Sequence, residues 1–435
     1  MAGRILIGSL KGHIGEYVNI AGWVDKIRDQ KKMQFLLLRD HTGLVQTANF
    51  KEGKSLDDVV SSLTPDCTLF AGGNLVDNSK VKLNGYEIQL GYVDVQSRPL
   101  GPLPITQDSN IDQRMDWRQI DLRDPKKYLI FKIQTTAEHA MRDFWLQNGF
   151  TEIHSPKLVE GASESGAELF KLNYFGQEAS LAQSPQFYKQ MAMAAGFDRV
   201  FEIGPVFRAN PSFTSRHDTE FTSVDIELSW IRSHEDVMRM EESWINYFVS
   251  EIVAKHGEEI FDKYGVETKV PTLPFPRVTM DEAYTILESQ GYNIPREHKG
   301  DLNPEGERRL AKHIKDNFDH DFVFVIDYPA RARPFYHMRF EDRPNTTKSF
   351  DLLWKGLEVT TGAQREHRYD RLLEQIHEKG VNPDSISSYV NFFKYGCPPH
   401  GGFGFGLTRM LMNLTELNNV REVTFVYRGP NRLRP

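Results

Sequence analysis

The chain has 435 residues, 39% of them hydrophobic and 26% charged, with a formal net charge of −7, which fits a soluble protein with room for two or three domains and a large core. No apolar run reaches bilayer-spanning length, and Cys67 and Cys397, the only cysteines, offer neither a metal spacing nor a disulfide framework. The opening MAGRILIGSLKGHIGEY lacks a long apolar core with a cleavage site, so a cytoplasmic location is expected.

The acidity argues mildly against a nonspecific nucleic-acid coat. Residues 1–100 carry 12 Lys+Arg and 11 Asp+Glu, a balance of +1, which leaves −8 on the remainder. The N-terminal segment is therefore the better place for a polynucleotide contact.

That segment reads as all-β. Residues 17–24 and 34–39 alternate, 40–43 form a turn, and strands follow at 44–48, 67–71 and 86–90. With one helix near 55–63, this predicts a small barrel over residues 1–100. The prolines of 99–104 mark a linker, extending over 101–124. A long helix then starts at Pro125, capped by Asp124, with apolar residues at Ile130, Ile133, Ala137, Met141, Phe144 and Trp145 and a stop at Gly149. A strand over 150–154 ends near Pro156. Further strands are predicted at 199–208, 222–230, 322–326, 349–353 and 357–361, and helices at 186–195, 233–254, 280–290 and 304–317. The mixture lacks regular βαβ alternation, so residues 125–435 are read as an antiparallel sheet with packed helices, an α+β domain.

Five clusters carry possible chemistry. Arg208 and Arg216 flank a turn-rich loop, with Phe221 beside them; this is either a hairpin with two surface arginines or a triphosphate site with a stacking ring. Asp351 and Glu358 bracket the Lys355-Gly356 turn, either as surface carboxylates or as a pair sharing a hard cation. Arg365 follows a glycine turn, where it is either solvated or able to hold a carboxylate bidentately. The run 400–409 has four glycines in six residues before Arg409, and Met410 onward reads as a helix start; this is a packed strand or an anion site. Ser184-Pro185 opens a helix that brings Gln183, Gln186 and Lys189 to one end, as cap residues or as a grip on a small zwitterion. Neither the dinucleotide fingerprint nor the Gly-Lys-Ser/Thr phosphate loop occurs, and covalent catalysis has no positive support.

Together these segments resemble a class II aminoacyl-tRNA synthetase, of the compact archaeal/eukaryotic aspartyl type, over essentially the whole chain. The helix from Pro125 with the following strand resembles the first motif, Phe207-Arg208 through Asp225-Ile-Glu227 the second, and Gly402 to Arg409 the third. Tyr17–Phe50 resembles the OB-fold anticodon-binding barrel. The resemblance implies a homodimer through the first-motif helix and strand, with ATP, Mg2+, L-aspartate and tRNA-Asp as ligands; tRNA-Asn is a second acceptor if the enzyme is non-discriminating.

Position by position, the resemblance places Arg208 on the α-phosphate. Arg216, Arg409 and His217 fall at the far phosphates, and Phe221 under adenine. Asp351 and Glu358 match magnesium ligands, with Glu358 also at the ATP site. Arg365 and Lys189 match partners of the aspartate side chain, and Gln186, Ser184 and Asp225 surround its ammonium. Glu164 belongs to a loop that closes over the substrate. Arg28, Phe35 and Gln46 match anticodon contacts. Asn210 and Thr408 depart from the family pattern, which carries acids there. A paralogue of altered duty, an asparagine-type synthetase or a tRNA-independent amide-forming ligase, is the competing expectation.

Overall fold

The computed structural model describes residues 3–160, 169–211 and 214–435. Two compact units result, Met1–Tyr128 and Leu129–Pro435.

The first unit holds a closed barrel of β1 (Tyr17–Asp29), β2 (Met33–Asp40), β3 (Gly43–Phe50), β4 (Thr68–Asp77) and β5 (Tyr86–Ser97), in the order β1-β2-β3-β5-β4. All five predicted strands and the short helix, here Ser55–Ser61, are present. Alternation sends Leu36, Leu38, Val45, Val18 and Ile20 into one core and leaves the intervening side chains outside. The turn between β2 and β3 is fixed by Asp40, whose Oδ1 accepts the backbone N–H of Thr42 at 2.7 Å.

The second unit centres on an eight-stranded sheet. Its strands are β6 (Thr151–Glu152), β10 (Arg199–Phe207), β11 (Glu220–Ser229), β12 (Arg277–Thr279), β13 (Phe322–Ile326), β14 (Ser349–Trp354), β15 (Leu357–Gln364) and β16 (His400–Gly406), in the order β12-β13-β14-β15-β16-β11-β10-β6. A small sheet of β7 (Leu158–Glu160), β8 (Lys171–Tyr174) and β9 (Gln177–Leu181) stands apart. The central ladders are antiparallel as expected, but the two outer pairings, β12 with β13 and β10 with β6, are parallel. The sheet is therefore mixed.

Three predicted elements change length. The strand expected over 150–154 pairs only at Thr151–Glu152, because Ser155 gives its N–H to Glu202 Oε2 and Pro156 has none to give. The helix expected to end at Ala254 runs His234–Tyr264, since His256 and Ile260 continue its buried face until Gly265 stops it at φ 73°. The third-motif helix begins at Leu407, not Met410, which puts Arg409 inside its first turn.

One side of the sheet is closed by the helices Pro125–Gln147 and His234–Tyr264. Their Trp145 and Trp244 stack at 4.9 Å, and Trp244 meets Phe403 at 5.6 Å and Phe405 at 5.1 Å. Gly404, between those phenylalanines, faces the opposite side, where a cavity opens. No described helix is long and apolar enough to cross a membrane.

Candidate active site

The cavity has a volume of about 610 Å3, and its wall includes Arg208, Arg216, His217, Phe221, Glu358 and Arg409 together with Ser184, Gln186, Lys189, Asp225 and Arg365. Side chains singled out from five separate stretches of sequence thus converge on one space. Glu164 lies outside the described residues.

Strand register explains much of the convergence. Asp225 pairs with Gly404, Gly404 with Thr361, and Thr361 with Asp351. The adjacent row on the same face joins Glu227 to Gly402 and Gly402 to Ala363. Paired residues on neighbouring strands share a face, so Asp225, Gly404 and Thr361 form the cavity floor, and Glu227, Gly402 and Asp351 continue the same face beyond it. At Gly402 a Cβ would collide with Ile226 O and the Glu227 carboxylate. Glycine there is the condition for Glu227 to lie flat on this face of the sheet.

At the closed end, four charges interlock. Lys189 Nζ donates to Asp225 Oδ1 at 2.8 Å and to the Phe403 carbonyl at 3.0 Å, and stands 3.6 Å from Glu227 Oε2. Arg365 Nε donates to Glu227 Oε1 at 3.0 Å; Nη2 reaches Glu227 Oε2 at 3.4 Å and Gly402 O at 2.9 Å; Nη1 lies 3.2 Å from His337 Nε2. The free bidentate fork expected of Arg365 is therefore not what the structure holds. Its Nε edge is committed to Glu227, and of five guanidinium N–H groups one on Nη1 remains. Burial and the Arg365 charge hold the His337 imidazole well below its ordinary pKa, so it accepts from the arginine as the neutral ring. Ser223 donates to Asp225 Oδ2 at 2.6 Å, completing the acid's orientation.

At the open end, Arg208 Cζ sits 5.1 Å over the Phe221 ring. Arg409 Nη1 donates to the Glu358 carbonyl at 2.7 Å, and Arg216 Nη1 to Glu307 Oε2 at 3.1 Å. Burial, then Arg409, Arg208 and Arg216, lower the His217 pKa. Three arginines focused on one half-buried imidazole define a strongly positive pocket, suited to a polyanion. Burial raises Asp218 to about 7. Thr408, where the resemblance led one to expect an acid, hydrogen-bonds the Asp218 side chain.

Asp351 shares the floor row but does not line the cavity. Its Oδ2 takes Arg333 Nη2 at 2.6 Å, while its buried Oδ1 has no hydrogen-bond partner among the described residues. Glu358, which does line the cavity, accepts from Thr361 Oγ1 at 3.1 Å. No group of three or more His, Cys, Asp or Glu forms a metal cage among the described residues. This donor set fits Mg2+, which takes one or two carboxylates and leaves its other positions to phosphates and water.

In the barrel, Arg28 pairs with Phe35 across β1 and β2, and Gln46 with Leu37 across β2 and β3. Alternation places all three on the outer surface, and Gln46 Nε2 donates to Glu87 Oε2 at 2.8 Å.

Glu227, His337, Glu307 and Asp218 were not singled out from sequence. Only Glu227 had a usable signal: it lies two residues after Asp225 in a strand, and period two puts both on one face.

Comparison with known proteins adds a family frame. Residues 110–427 match the tRNA synthetases class II (D, K and N), and residues 18–95 the OB-fold nucleic acid binding domain. The chain is 41% identical over 438 residues to an aspartate–tRNA(Asp/Asn) ligase of Aeropyrum pernix, covering 99% of this chain and 98% of that protein. It is 41% identical over 427 residues to an aspartate–tRNA(Asp) ligase of Pyrococcus horikoshii, covering 97% of each. Among solved structures, the asparaginyl-tRNA synthetase of Pyrococcus horikoshii complexed with asparaginyl-adenylate superposes with a TM-score of 0.92 at 31% identity over all of both chains. The aspartyl-tRNA synthetase of Entamoeba histolytica gives 0.86 at 30% identity, over 97% of this chain and 90% of that one.

Proposed function

The chain belongs to the class II tRNA synthetases of the aspartate, lysine and asparagine group, and within it we propose that this protein is an aspartate–tRNA ligase. It joins L-aspartate to the 3′-terminal ribose of tRNA through an aspartyl-adenylate, with ATP as the energy source. Residues 125–435 perform the chemistry, residues 1–100 bind the anticodon, and residues 101–124 link them.

The observation that carries this reading is the polarity of this cavity. Its closed end presents Lys189 and Arg365, anchored by Asp225 and Glu227, and its open end presents three arginines and a ring. Lys189 and the remaining Arg365 N–H only donate. They suit a side-chain carboxylate, and the NH2 of asparagine would meet donors with a donor. Asp225, Ser184 and Gln186 face the ammonium. The α-carboxylate then points toward the α-phosphorus of ATP, whose adenine stacks on Phe221.

Arg208 holds the α-phosphate oxygens as charge develops there, and Arg216, Arg409 and His217 hold the departing pyrophosphate. Glu358, with Asp351 behind it, would hold magnesium, and the bound ion would neutralise phosphate charge in the transition state. No side chain acts as a nucleophile. In the barrel, Phe35 stacks on an unpaired anticodon base, with Arg28 and Gln46 beside it. The helix Pro125–Gln147, with Leu146 59% exposed, and the strand after it form the interface of a homodimer.

Charging of tRNA-Asp and tRNA-Asn transcripts with labelled aspartate and asparagine tests this. Aspartate on tRNA-Asp is expected. Asparagine alone on tRNA-Asn indicates an asparagine-type enzyme, and adenylation without any charging indicates an amide-forming ligase.

A further inference from the structure

A buried chain of polar groups leads away from the cavity behind Gln186. Gln186 Nε2 donates to Gln190 Oε1 at 2.9 Å, and Tyr389 donates its hydroxyl to the same oxygen at 3.0 Å. Gln190 Nε2 lies 2.9 Å from His400 Nε2, and His400 Nδ1 lies 2.8 Å from the Pro398 carbonyl. Gln190 and His400 are each 0% exposed, Tyr389 is 1% and Gln186 5%. Of the four, only Gln186 reaches the cavity wall.

The direction of every bond in this chain follows from its last member. A carbonyl oxygen only accepts, so His400 Nδ1 carries the hydrogen. In the neutral imidazole Nε2 then holds a lone pair, and Gln190 must turn its NH2 toward it. Burial keeps the ring neutral by pushing its pKa down to about 4. The Gln190 oxygen is thereby turned to Tyr389 and Gln186, and Gln186 must spend an N–H on it. The Gln186 amide oxygen is left toward the cavity, with no hydrogen-bond partner among the described residues.

We infer that Gln190 and His400 are positioning residues that lock the amide of Gln186 with its oxygen toward the substrate, so that the cavity offers an acceptor to the amino-acid ammonium. This rests on the ligase reading above. An unanchored Gln186 loses little energy by rotating its amide, and the reversed amide would present N–H groups to the ammonium. The inward bonds therefore set a local selectivity that the cavity wall alone does not fix.

Gln190→Met removes both amide functions at similar volume. In aspartate-dependent ATP–pyrophosphate exchange, it should raise the aspartate KM about tenfold, the factor for one charge-assisted hydrogen bond. Succinate, which keeps both carboxylates and lacks the ammonium, is the control: its inhibition constant and the ATP KM should stay within about twofold. His400→Leu, which frees the Gln190 amide, should reproduce the selective loss and serves if Gln190→Met does not fold. Equal weakening of aspartate and succinate would show a packing role and overturn the inference, as would an unchanged aspartate KM in both variants. Absence of aspartate-dependent exchange in the parent protein would instead remove the ligase reading, and this inference with it.

Discussion

Arg365 Nε lies 3.0 Å from Glu227 Oε1, both side chains are almost fully buried, and one strand, β16, runs between β11, which carries Glu227, and β15, which ends one residue before Arg365. That strand places Gly402 at the crossing, and the Gly402 carbonyl takes a further bond from Arg365 Nη2. The acid aims the arginine, and the glycine makes room for the acid.

Arg365→Leu should lower kcat/KM for aspartate activation about a thousandfold, the scale expected when a buried charge pair loses one member. The ATP dissociation constant should change by less than about threefold. The variant should also lose about 3–5 kcal/mol of stability, since Glu227 is left with only the more distant Lys189 ammonium. Adding Glu227→Gln should recover much of the stability in urea melts and none of the activity. Equal loss of ATP binding would contradict the role given to Arg365.

Phe221→Ala removes the ring under Arg208. Stacking of a base on an aromatic side chain contributes ~1–3 kcal/mol, so the ATP KM should rise by about tenfold or more. The aspartate KM, measured at saturating ATP, should stay near the parent value. A change confined to aspartate would move the adenine elsewhere.

Glu307 should impose a pH dependence on ATP affinity. Burial, reinforced by Glu358, pushes its carboxyl up to about 7 against the pull of Arg216. Below that pH the group is protonated and neutral, and Arg216 keeps its full charge for phosphate. Above it, the carboxylate competes for Arg216. The ATP KM should therefore rise about threefold from pH 6 to pH 8, within the range of a partly exposed ion pair. Glu307→Gln should flatten that rise, and an identical rise in the variant would assign it to ATP itself.

Phe35→Ala on the outer face of the barrel should raise the tRNA KM about tenfold, from the same stacking scale. Aspartate-dependent exchange without tRNA should not change. Loss of both would indicate a misfolded barrel.

The His400–Gly406 run shows how far the sequence was readable. Its glycine richness left a packed strand or an anion site open, and the structure shows the packed strand. Phe403 and Phe405 pack behind the sheet on Trp244, while in front Gly404 lines the cavity and Gly402 makes room for the Glu227 carboxylate. Period two decides this, once the residues are known to be a central strand. Contiguous patterns brought Arg208, Arg216, Arg409 and Lys189 into view and the family resemblance added Asp225; all five line the cavity. Gln190, Tyr389, His337 and His400 were illegible, because their meaning is a set of contacts among residues 28 to 210 positions apart. The reach of the His234–Tyr264 helix past Ala254 was missed for a similar reason: the buried His256 satisfies itself on Thr136, far away in sequence.

The most direct measurement is ATP–pyrophosphate exchange by the parent protein with aspartate or asparagine as the only amino acid, without tRNA. Exchange with aspartate, at a kcat/KM at least a hundredfold above that with asparagine, is the expected result, since donors that meet a carboxylate discriminate strongly against its amide. Preferential exchange with asparagine, or none with either, would contradict the assignment of Lys189 and Arg365 to a substrate carboxylate.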